Sequence, residues 1–214
     1  MSMITSKIFE STFLPAAFAG PKHSTKIMIL MHGIGDHKGP YIDFAKELNL
    51  TGLDYLAINA PTPYLFGYSW YDLSPADPII GIKKSVEKIE ELFNELNESG
   101  YADEDILLAG FSQGGCIALH SFLALERKLA GVICLSPRIY LDRMQVEVEE
   151  LHKQTPIFVA HGYQDQAISF QDVSSQIAQL KSKELEIEWH EHQMGHEIII
   201  EEIVQLRDWI NRQI

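Results

Sequence analysis

The chain has 214 residues, enough for one domain with a sizeable core. Its formal net charge of −13 argues against a surface that binds nucleic acid or acidic lipid, since such polyanions are repelled by excess negative charge. The longest early apolar run, Ile27–Met31, is too short to span a bilayer, and no signal-peptide pattern precedes it. We therefore expect a single domain over residues 1–214, without stable membrane insertion.

Both cysteines, Cys116 and Cys134, lie in apolar stretches, and we interpret them as free thiols of the core. Free thiols persist in reducing compartments, so the expected location is the cytoplasm. A monomer and a homodimer are both compatible with the sequence.

The first half of the chain alternates between short apolar runs and helical patterns. Residues 1–20, chiefly 4–14, predict an edge strand or ribbon that Pro15 and Gly20-Pro21 bring to an end. The elements that follow are a strand at Lys26–Met31, a helix at about Tyr41–Leu48 and a strand at Asp54–Asn59. Asp77 then resembles an N-cap with Pro78 at the first helical position, and this helix carries an apolar stripe as far as Gly100.

The second half repeats the alternation. Strands are predicted at Ile106–Ala109, Gly131–Ser136, Ile157–His161 and, near the sheet edge, Leu185–His190. Helices are predicted at about Cys116–Leu125, Gln171–Lys181 and Glu197–Arg212. This order predicts an α/β fold in which a mainly parallel central sheet has helices on both faces. In such folds ligands bind beyond the carboxyl ends of the strands.

Two segments do not fit the alternation. Residues 60–78 carry five aromatic side chains without periodicity, and long loops of this kind usually serve a function, so we expect an aromatic loop beside the active site. For any single residue the alternative is an aromatic side chain that anchors a surface loop in the core. Residues 141–154 are rich in glutamate and predict an acidic surface segment, either a short helix or a flap.

A glycine-flanked serine lies where a predicted strand meets a predicted helix. The segment at 110–115 reads Gly-Phe-Ser-Gln-Gly-Gly. Strand, Gly-x-Ser-x-Gly and helix form the layout of a turn that exposes a nucleophilic hydroxyl above a parallel sheet. Ser112 is therefore the predicted nucleophile.

A serine nucleophile needs a base and an acid that orients it, and in this layout the chain order is serine, acid, histidine. Asp165 follows the strand Ile157–His161, and His196 follows the strand Leu185–His190 just before the last helix. Both lie past strand ends at the same sheet edge as Ser112. The alternatives are Asp142 and Asp172 for the acid, and His190 and His192 for the base.

The developing oxyanion needs backbone N–H donors. One is expected from Gln113, the residue after the nucleophile, and the other from Ile34 in the glycine-containing loop after Lys26–Met31. The cluster His190, His192 and His196 raises metal binding as a rival function, but no acidic ligand spacing completes a zinc site. We accordingly predict no metal, and interpret His161 as a structural residue at a strand end.

Several ordered motifs together resemble the phospholipase/carboxylesterase family, which includes acyl-protein thioesterases and small bacterial carboxylesterases. They are His-Gly-Ile-Gly-Asp at 32–36, Ala-Pro at 60–61, Trp-Tyr-Asp at 70–72, Asp77 with Gly-Ile at 81–82, the serine segment at 110–115, His161-Gly162 with Asp165, and Met-Gly-His at 194–196. The resemblance implies a compact α/β-hydrolase fold, a Ser112–Asp165–His196 triad, the oxyanion donors Ile34 and Gln113, and no cofactor. It also makes Trp70 and Leu73 expected lining residues of an acyl-binding groove.

The sequence departs from this family after the strand Gly131–Ser136, where Ser-Pro-Arg precedes the acidic segment. Arg138 has two interpretations, a sensor of a substrate carboxylate or the partner of a surface acid. The predicted function is hydrolysis of a small-molecule ester or acyl thioester through an acyl-enzyme. The alternatives are a catalytically silent binding protein of the same fold and an acyltransferase that uses an alcohol acceptor.

Overall fold

A mainly parallel sheet forms the centre of the molecule in the computed structural model, which describes residues 4–16, 26–73, 77–144 and 147–214. Within these ranges the strands are β1 (Ser11–Leu14), β2 (Lys26–Met31), β3 (Leu53–Ile58), β4 (Thr62–Tyr64), β5 (Gly67–Ser69), β6 (Ile106–Phe111), β7 (Gly131–Leu135), β8 (Ile157–Gly162) and β9 (Ile187–His192). The α-helices are α1 (Gly39–Leu48), α2 (Pro78–Glu98), α3 (Gln113–Ala124), α4 (Phe170–Ser182) and α5 (Ile200–Ile210).

Seven of the described strands make one sheet in the order β1-β3-β2-β6-β7-β8-β9. All pairs in it are parallel except β1 with β3, where Ser11 faces Ile58 and Leu14 faces Tyr55. The strands β2 and β6 lie in the middle, which explains their continuous apolar sequences. The predicted α/β fold with a mainly parallel sheet is confirmed.

Helices cover both faces of the sheet, and alternate residues of a strand serve alternate faces. In β2, Ile27 and Ile29 pack in the core under α2, α3 and α4. Met28 and Leu30 pack on the opposite side with α1 and α5. Helix α2 begins as its sequence indicates, with the Asp77 side chain accepting the N–H of Ile79.

The irregular segments differ from expectation. Part of the aromatic stretch at 60–78 is a hairpin rather than a loop, because β4 and β5 pair antiparallel and Tyr68 is bridged to Asp36. Its tip is exposed, and Phe66 has no shielding at all. In the acidic stretch at 141–154, for which the sequence predicts a short helix or a flap, the described residues form a turn at 141–143 and a 3₁₀ turn at His152–Gln154.

At the N-terminus the predicted strand within 4–14 is shorter than expected, since only β1 pairs with the sheet. The predicted stop at Gly20-Pro21, together with residues 74–76 of the aromatic stretch and 145–146 of the acidic one, lies outside the described residues. None of the described helices has the length and apolar character required to cross a bilayer.

Candidate active site

Ser112 occupies the turn between β6 and α3. Its backbone has φ 55° and ψ −114°, a conformation that L-residues rarely adopt. Its N–H donates to the Leu135 carbonyl of β7 at 2.8 Å, which fixes the turn to the neighbouring strand. The strand therefore ends abruptly and the helix starts at once, as the serine segment predicts.

Glycines allow the strand and the helix to approach each other at this turn. A Cβ on Gly110 would lie 2.2 Å from the Gly114 carbonyl carbon, and one on Gly114 would lie 2.3 Å from the Met31 oxygen. Neither position can hold a side chain without moving the backbone. The spacing of the glycines thus follows from the contact between the start of α3 and the ends of β6 and β2.

The structure brings Ser112, His196 and Asp165 together in one series of hydrogen bonds. His196 Nε2 is 2.8 Å from Ser112 Oγ, and His196 Nδ1 is 2.7 Å from Asp165 Oδ2. Because the carboxylate accepts, Nδ1 carries the proton and Nε2 is free to accept the serine proton. The ring of Phe111 packs against His196, with centroids 4.8 Å apart.

Asp165 is buried and both oxygens of its carboxylate accept hydrogen bonds. Oδ1 accepts the N–H groups of Ala167 and Ile168, both at 2.8 Å, while Oδ2 faces His196. Burial by itself would raise the pKa of Asp165, but the hydrogen bonds from Ile168, His196 and Ala167 lower the pKa below its ordinary value. The carboxylate is therefore held in its charged form.

The alternative acids and bases lie elsewhere. Asp142 and Asp172 are exposed. His190 bonds Glu188 Oε1 at 2.9 Å, and the buried Nε2 of His192 has no partner among the described residues. In this geometry only Asp165 and His196 complete a series that ends at Ser112.

Two backbone N–H groups in the segments around Ser112 have no backbone acceptor among the described residues. Gln113 is the first residue of α3, so its N–H has no acceptor within the helix. In the loop after β2, Gly35 N–H donates to Tyr68 O and Asp36 N–H to Gly33 O, but Ile34 N–H finds no acceptor in the described part of the chain. This loop lies against the serine, because a Cβ on Gly33 would be 3.4 Å from Ser112 Cβ.

The side chain of Gln113 has a role that the sequence did not reveal. Its Oε1 accepts the N–H of Trp70 at 2.9 Å and the hydroxyl of Ser69 at 3.2 Å, and its Nε2 donates to Tyr71 O at 2.8 Å. The residue after Ser112 thus holds the end of the hairpin in place. The only signal for this in the sequence is an amide side chain at the start of an otherwise apolar helix.

Trp70 and Leu73, the expected lining residues, are placed very differently. Trp70 is buried, its indole N–H donates to His32 O at 2.9 Å, and its ring packs on that of His32. His32 in turn accepts the N–H of Ala60 on Nε2 and contacts Gly33 O with Nδ1. Trp70 thus supports the loop that carries Ile34, whereas Leu73 is 52% exposed.

Arg138 contacts a backbone carbonyl and not a surface acid of the described chain, while its interpretation as a sensor of a substrate carboxylate stays a prediction. Its guanidinium donates to the carbonyl of Ala167 at 2.8 Å, in the loop that follows Asp165. No described carboxylate lies within ion-pair distance of it. Arg138 also lines an open cavity of about 410 Å³ between the segment after β7 and helix α4.

Other reactive groups near the serine are inert in this setting. Cys116 follows Ser112 by one helical turn, and burial raises the pKa of its thiol to about 12, so it stays protonated. Cys116 and Cys134 are free and buried, as predicted. Among the residues described, no three His, Cys, Asp or Glu side chains are placed to hold a metal ion together.

Comparison with known proteins agrees with this geometry. The model of the family described as Phospholipase/Carboxylesterase matches residues 15–214. The acyl-protein thioesterase 1 of Yarrowia lipolytica is 28% identical over 210 residues, covering 89% of this chain and 92% of the relative. That of Cryptococcus neoformans is 30% identical over 168 residues, covering 70% of this chain and 71% of the relative.

Solved structures show the same fold at lower identity. The Bacillus cereus carboxylesterase superposes with a TM-score of 0.83 at 16% identity and covers 97% of this chain and 96% of its own. Arabidopsis thaliana SOBER1 gives a TM-score of 0.78 at 23% identity, covering 88% and 98%. The family model spans nearly the whole chain, and the chain therefore belongs to the phospholipase/carboxylesterase family.

Proposed function

We propose that Ser112, His196 and Asp165 act as the catalytic triad of this chain. Family membership makes the protein a hydrolase of carboxylic esters or thioesters, and the proposal assigns the chemistry to residues. The observation that carries it is the continuous series of hydrogen bonds from Ser112 Oγ through His196 to Asp165, at 2.8 and 2.7 Å.

The first half-reaction forms an acyl-enzyme. His196 Nε2 takes the proton of Ser112 as the hydroxyl oxygen attacks the substrate carbonyl carbon. The Asp165 carboxylate holds the ring and stabilises the imidazolium that forms. The N–H groups of Ile34 and Gln113 donate to the oxyanion, and the fact that neither has a backbone acceptor in the described ranges supports this role.

The tetrahedral intermediate then collapses. His196 returns its proton to the leaving alcohol or thiol, and the acyl group stays on Ser112. In the second half-reaction His196 takes a proton from water, the resulting hydroxide attacks the acyl carbon, and Ser112 recovers its proton. The net reaction consumes one ester or thioester and one molecule of water, and it releases one carboxylic acid and one alcohol or thiol.

The names of the relatives support acyl thioesters as substrates of this chain, since the proteins from Yarrowia and Cryptococcus are acyl-protein thioesterases. Leu73, exposed beside the Trp70 segment, is proposed to contact the acyl chain. A series of nitrophenyl esters and acyl thioesters of increasing chain length measures both preferences in one experiment. We also propose a cytoplasmic location, which the free thiols of Cys116 and Cys134 support, and a monomer or homodimer.

Substitution of the nucleophile tests the triad. Ser112→Ala should lower kcat on nitrophenyl esters by about 10⁴-fold or more, because the covalent route is lost. A fluorophosphonate probe should label the wild type on Ser112 and leave the variant unlabelled. The control is Ser121→Ala on the same helix, whose buried hydroxyl has no partner within the described chain.

The proposal fails if Ser112→Ala keeps most of its turnover, or if the folded wild type takes no label. An unlabelled wild type would favour the silent binding protein instead. Product analysis with added alcohol separates hydrolysis from acyl transfer.

A further inference from the structure

A second histidine approaches the carboxylate of Asp165. His161, near the end of β8, is fully buried, and its Nε2 lies 3.0 Å from Ile168 O and 3.3 Å from Asp165 Oδ2. Both neighbours are acceptors, so Nε2 carries the proton and shares it between them. The carboxylate oxygen that accepts from His196 thus also faces a donor from the strand.

The other ring nitrogen of His161 makes no hydrogen bond to the described residues. Nδ1 of His161 is buried and has no partner in the described part of the molecule. Burial lowers the pKa of His161, and the nearby Ile168 carbonyl and Asp165 carboxylate oppose this only in part, so the ring stays neutral. A phenyl ring would fill the same space without a buried orphan nitrogen. The feature that distinguishes histidine here is the Nε2–H donor.

His161 also makes a hydrogen bond to the loop that carries Asp165. The carbonyl of Ile168 accepts from His161, while the N–H of Ile168 donates to Asp165 Oδ1 at 2.8 Å. The rings of Trp189 and Phe170 flank His161, at centroid distances of 6.5 and 6.2 Å. Strand, loop and carboxylate are therefore connected through a single side chain that cannot rotate freely.

We propose that His161 is a positioning residue, whose Nε2–H holds the Asp165 carboxylate in the orientation that receives His196 Nδ1–H. The inference rests on the proposed triad and extends it by one residue. His161 does not touch the substrate, so its contribution lies in the geometry of the Asp165–His196 pair. Since catalysis depends steeply on such geometry, loss of the donor should slow the chemical step more than it weakens substrate binding.

Two substitutions separate the donor from the shape. His161→Phe keeps a ring and removes the donor, and it should lower kcat by about 10- to 100-fold with KM changed less than about twofold. His161→Gln carries an amide N–H near the position of Nε2 and should keep kcat within about threefold of the wild type. In proton NMR, the far-downfield resonance of His196 Nδ1–H should move upfield in His161→Phe and stay in place in His161→Gln.

His152 supplies the matched control. It is another buried histidine, its Nε2 lies 3.2 Å from the Leu125 carbonyl, and its ring packs edge-on against Phe122. It lies before β8, at the opposite end of that strand from Asp165. His152→Phe should lower stability and leave kcat and the His196 resonance unchanged.

The outcomes decide clearly. Wild-type kcat and an unmoved resonance in folded His161→Phe would overturn the proposal, and so would a folded His161→Gln variant with a large loss of kcat. If His161→Phe does not fold, the glutamine variant alone still decides. Absence of a fluorophosphonate adduct on wild-type Ser112 would refute the triad, whereas the NMR comparison would still test whether His161 holds Asp165.

Discussion

The backbone of Ser112 is held in a conformation that costs about 1–3 kcal/mol for a residue with a side chain. The surrounding contacts enforce it, since the Ser112 N–H is fixed to Leu135 and the flanking glycines touch backbone atoms of β2 and α3. As a result the hydroxyl points out of both elements toward His196. The strained turn is what separates this serine from one inside an ordinary helix.

The contact at Gly114 gives a prediction at this scale. In Gly114→Ala the added Cβ would meet the Met31 oxygen at 2.3 Å, and backbone atoms must move to relieve it. We expect a loss of about 3 kcal/mol in the free energy of unfolding and a strong loss of kcat. Urea denaturation and ester turnover measure the two effects.

Gly52→Ala is the control for that substitution. Gly52 has φ 76° and open space around its Cβ position, so only the conformational cost of about 1–2 kcal/mol remains. This variant should keep wild-type kcat. A Gly114→Ala protein with normal stability and turnover would show that the turn is looser than the geometry indicates.

At the scale of elements, the Gln113 side chain connects the Ser112 turn to the end of the β4–β5 hairpin. Gln113→Ala removes three hydrogen bonds to Ser69, Trp70 and Tyr71 but keeps the backbone N–H. Buried polar groups are left unpaired, so we expect a loss of about 1–3 kcal/mol in stability. Because the loop that bears Ile34 rests on Trp70, kcat/KM should fall as well.

Gln176→Ala provides the comparison, since the Gln176 side chain also bonds backbone groups of other segments, Leu141 N–H and Ile139 O, besides Asp172 O of its own helix. It should lose stability without an equal loss of kcat/KM. Equal kinetic losses in both variants would contradict a special role for Gln113.

The central elements could be predicted from sequence because their signals are local. Apolar runs and helical stripes place β2, β6 and α2 within a few residues of their observed ends. The hairpin could not be predicted in this way, because β4 and β5 have three residues each, and β4 is exposed throughout. It is fixed by distant contacts, such as the bond from Gly35 N–H to Tyr68 O.

The positions of the three residues proposed as the triad were predictable for a related reason. Ser112, Asp165 and His196 follow strand ends, and parallel strands bring their carboxyl ends to one edge. The support around them was not predictable. The bonds of Gln113 and of His161 depend on which side chains meet after packing, and neither residue has a spacing that indicates its partner.

At the scale of the whole molecule, Glu202 places an ionisable carboxyl group in the core. Glu202 is adjacent to Ile203, a residue of the apolar stripe of α5, and is itself fully buried. Its carboxyl oxygens have no hydrogen-bond partner within the described residues. Burial raises the pKa of Glu202 to about 8, and the nearby Ile199 N–H offsets this only partly. At neutral pH the folded protein therefore keeps this proton.

This proton makes stability depend on pH. Between pH 4.5, the ordinary pKa of a glutamate, and about pH 8, the folded state binds a proton on Glu202 that the unfolded state has released. The free energy of unfolding that this neutral carboxyl contributes therefore falls as the pH rises through this range. Glu202→Gln removes the effect. Its free energy of unfolding relative to the wild type should rise by about 2 kcal/mol between pH 6 and pH 8, measured by urea denaturation.

The exposed neighbour Glu201 is the control, and Glu201→Gln should show no such trend. A difference between Glu202→Gln and wild type that is constant with pH would refute the raised pKa.

The position of β9 has a consequence for how the enzyme fails. This strand is at the sheet edge, pairs with β8 alone, and leads directly to the loop with His196. Detaching one edge strand requires less free energy than melting the central β2–β6 pair. Ser112 and His196 can thus separate while the core is intact. If the proposed triad holds, ester turnover is then a more sensitive measure of mild denaturation than any spectroscopic signal of the fold.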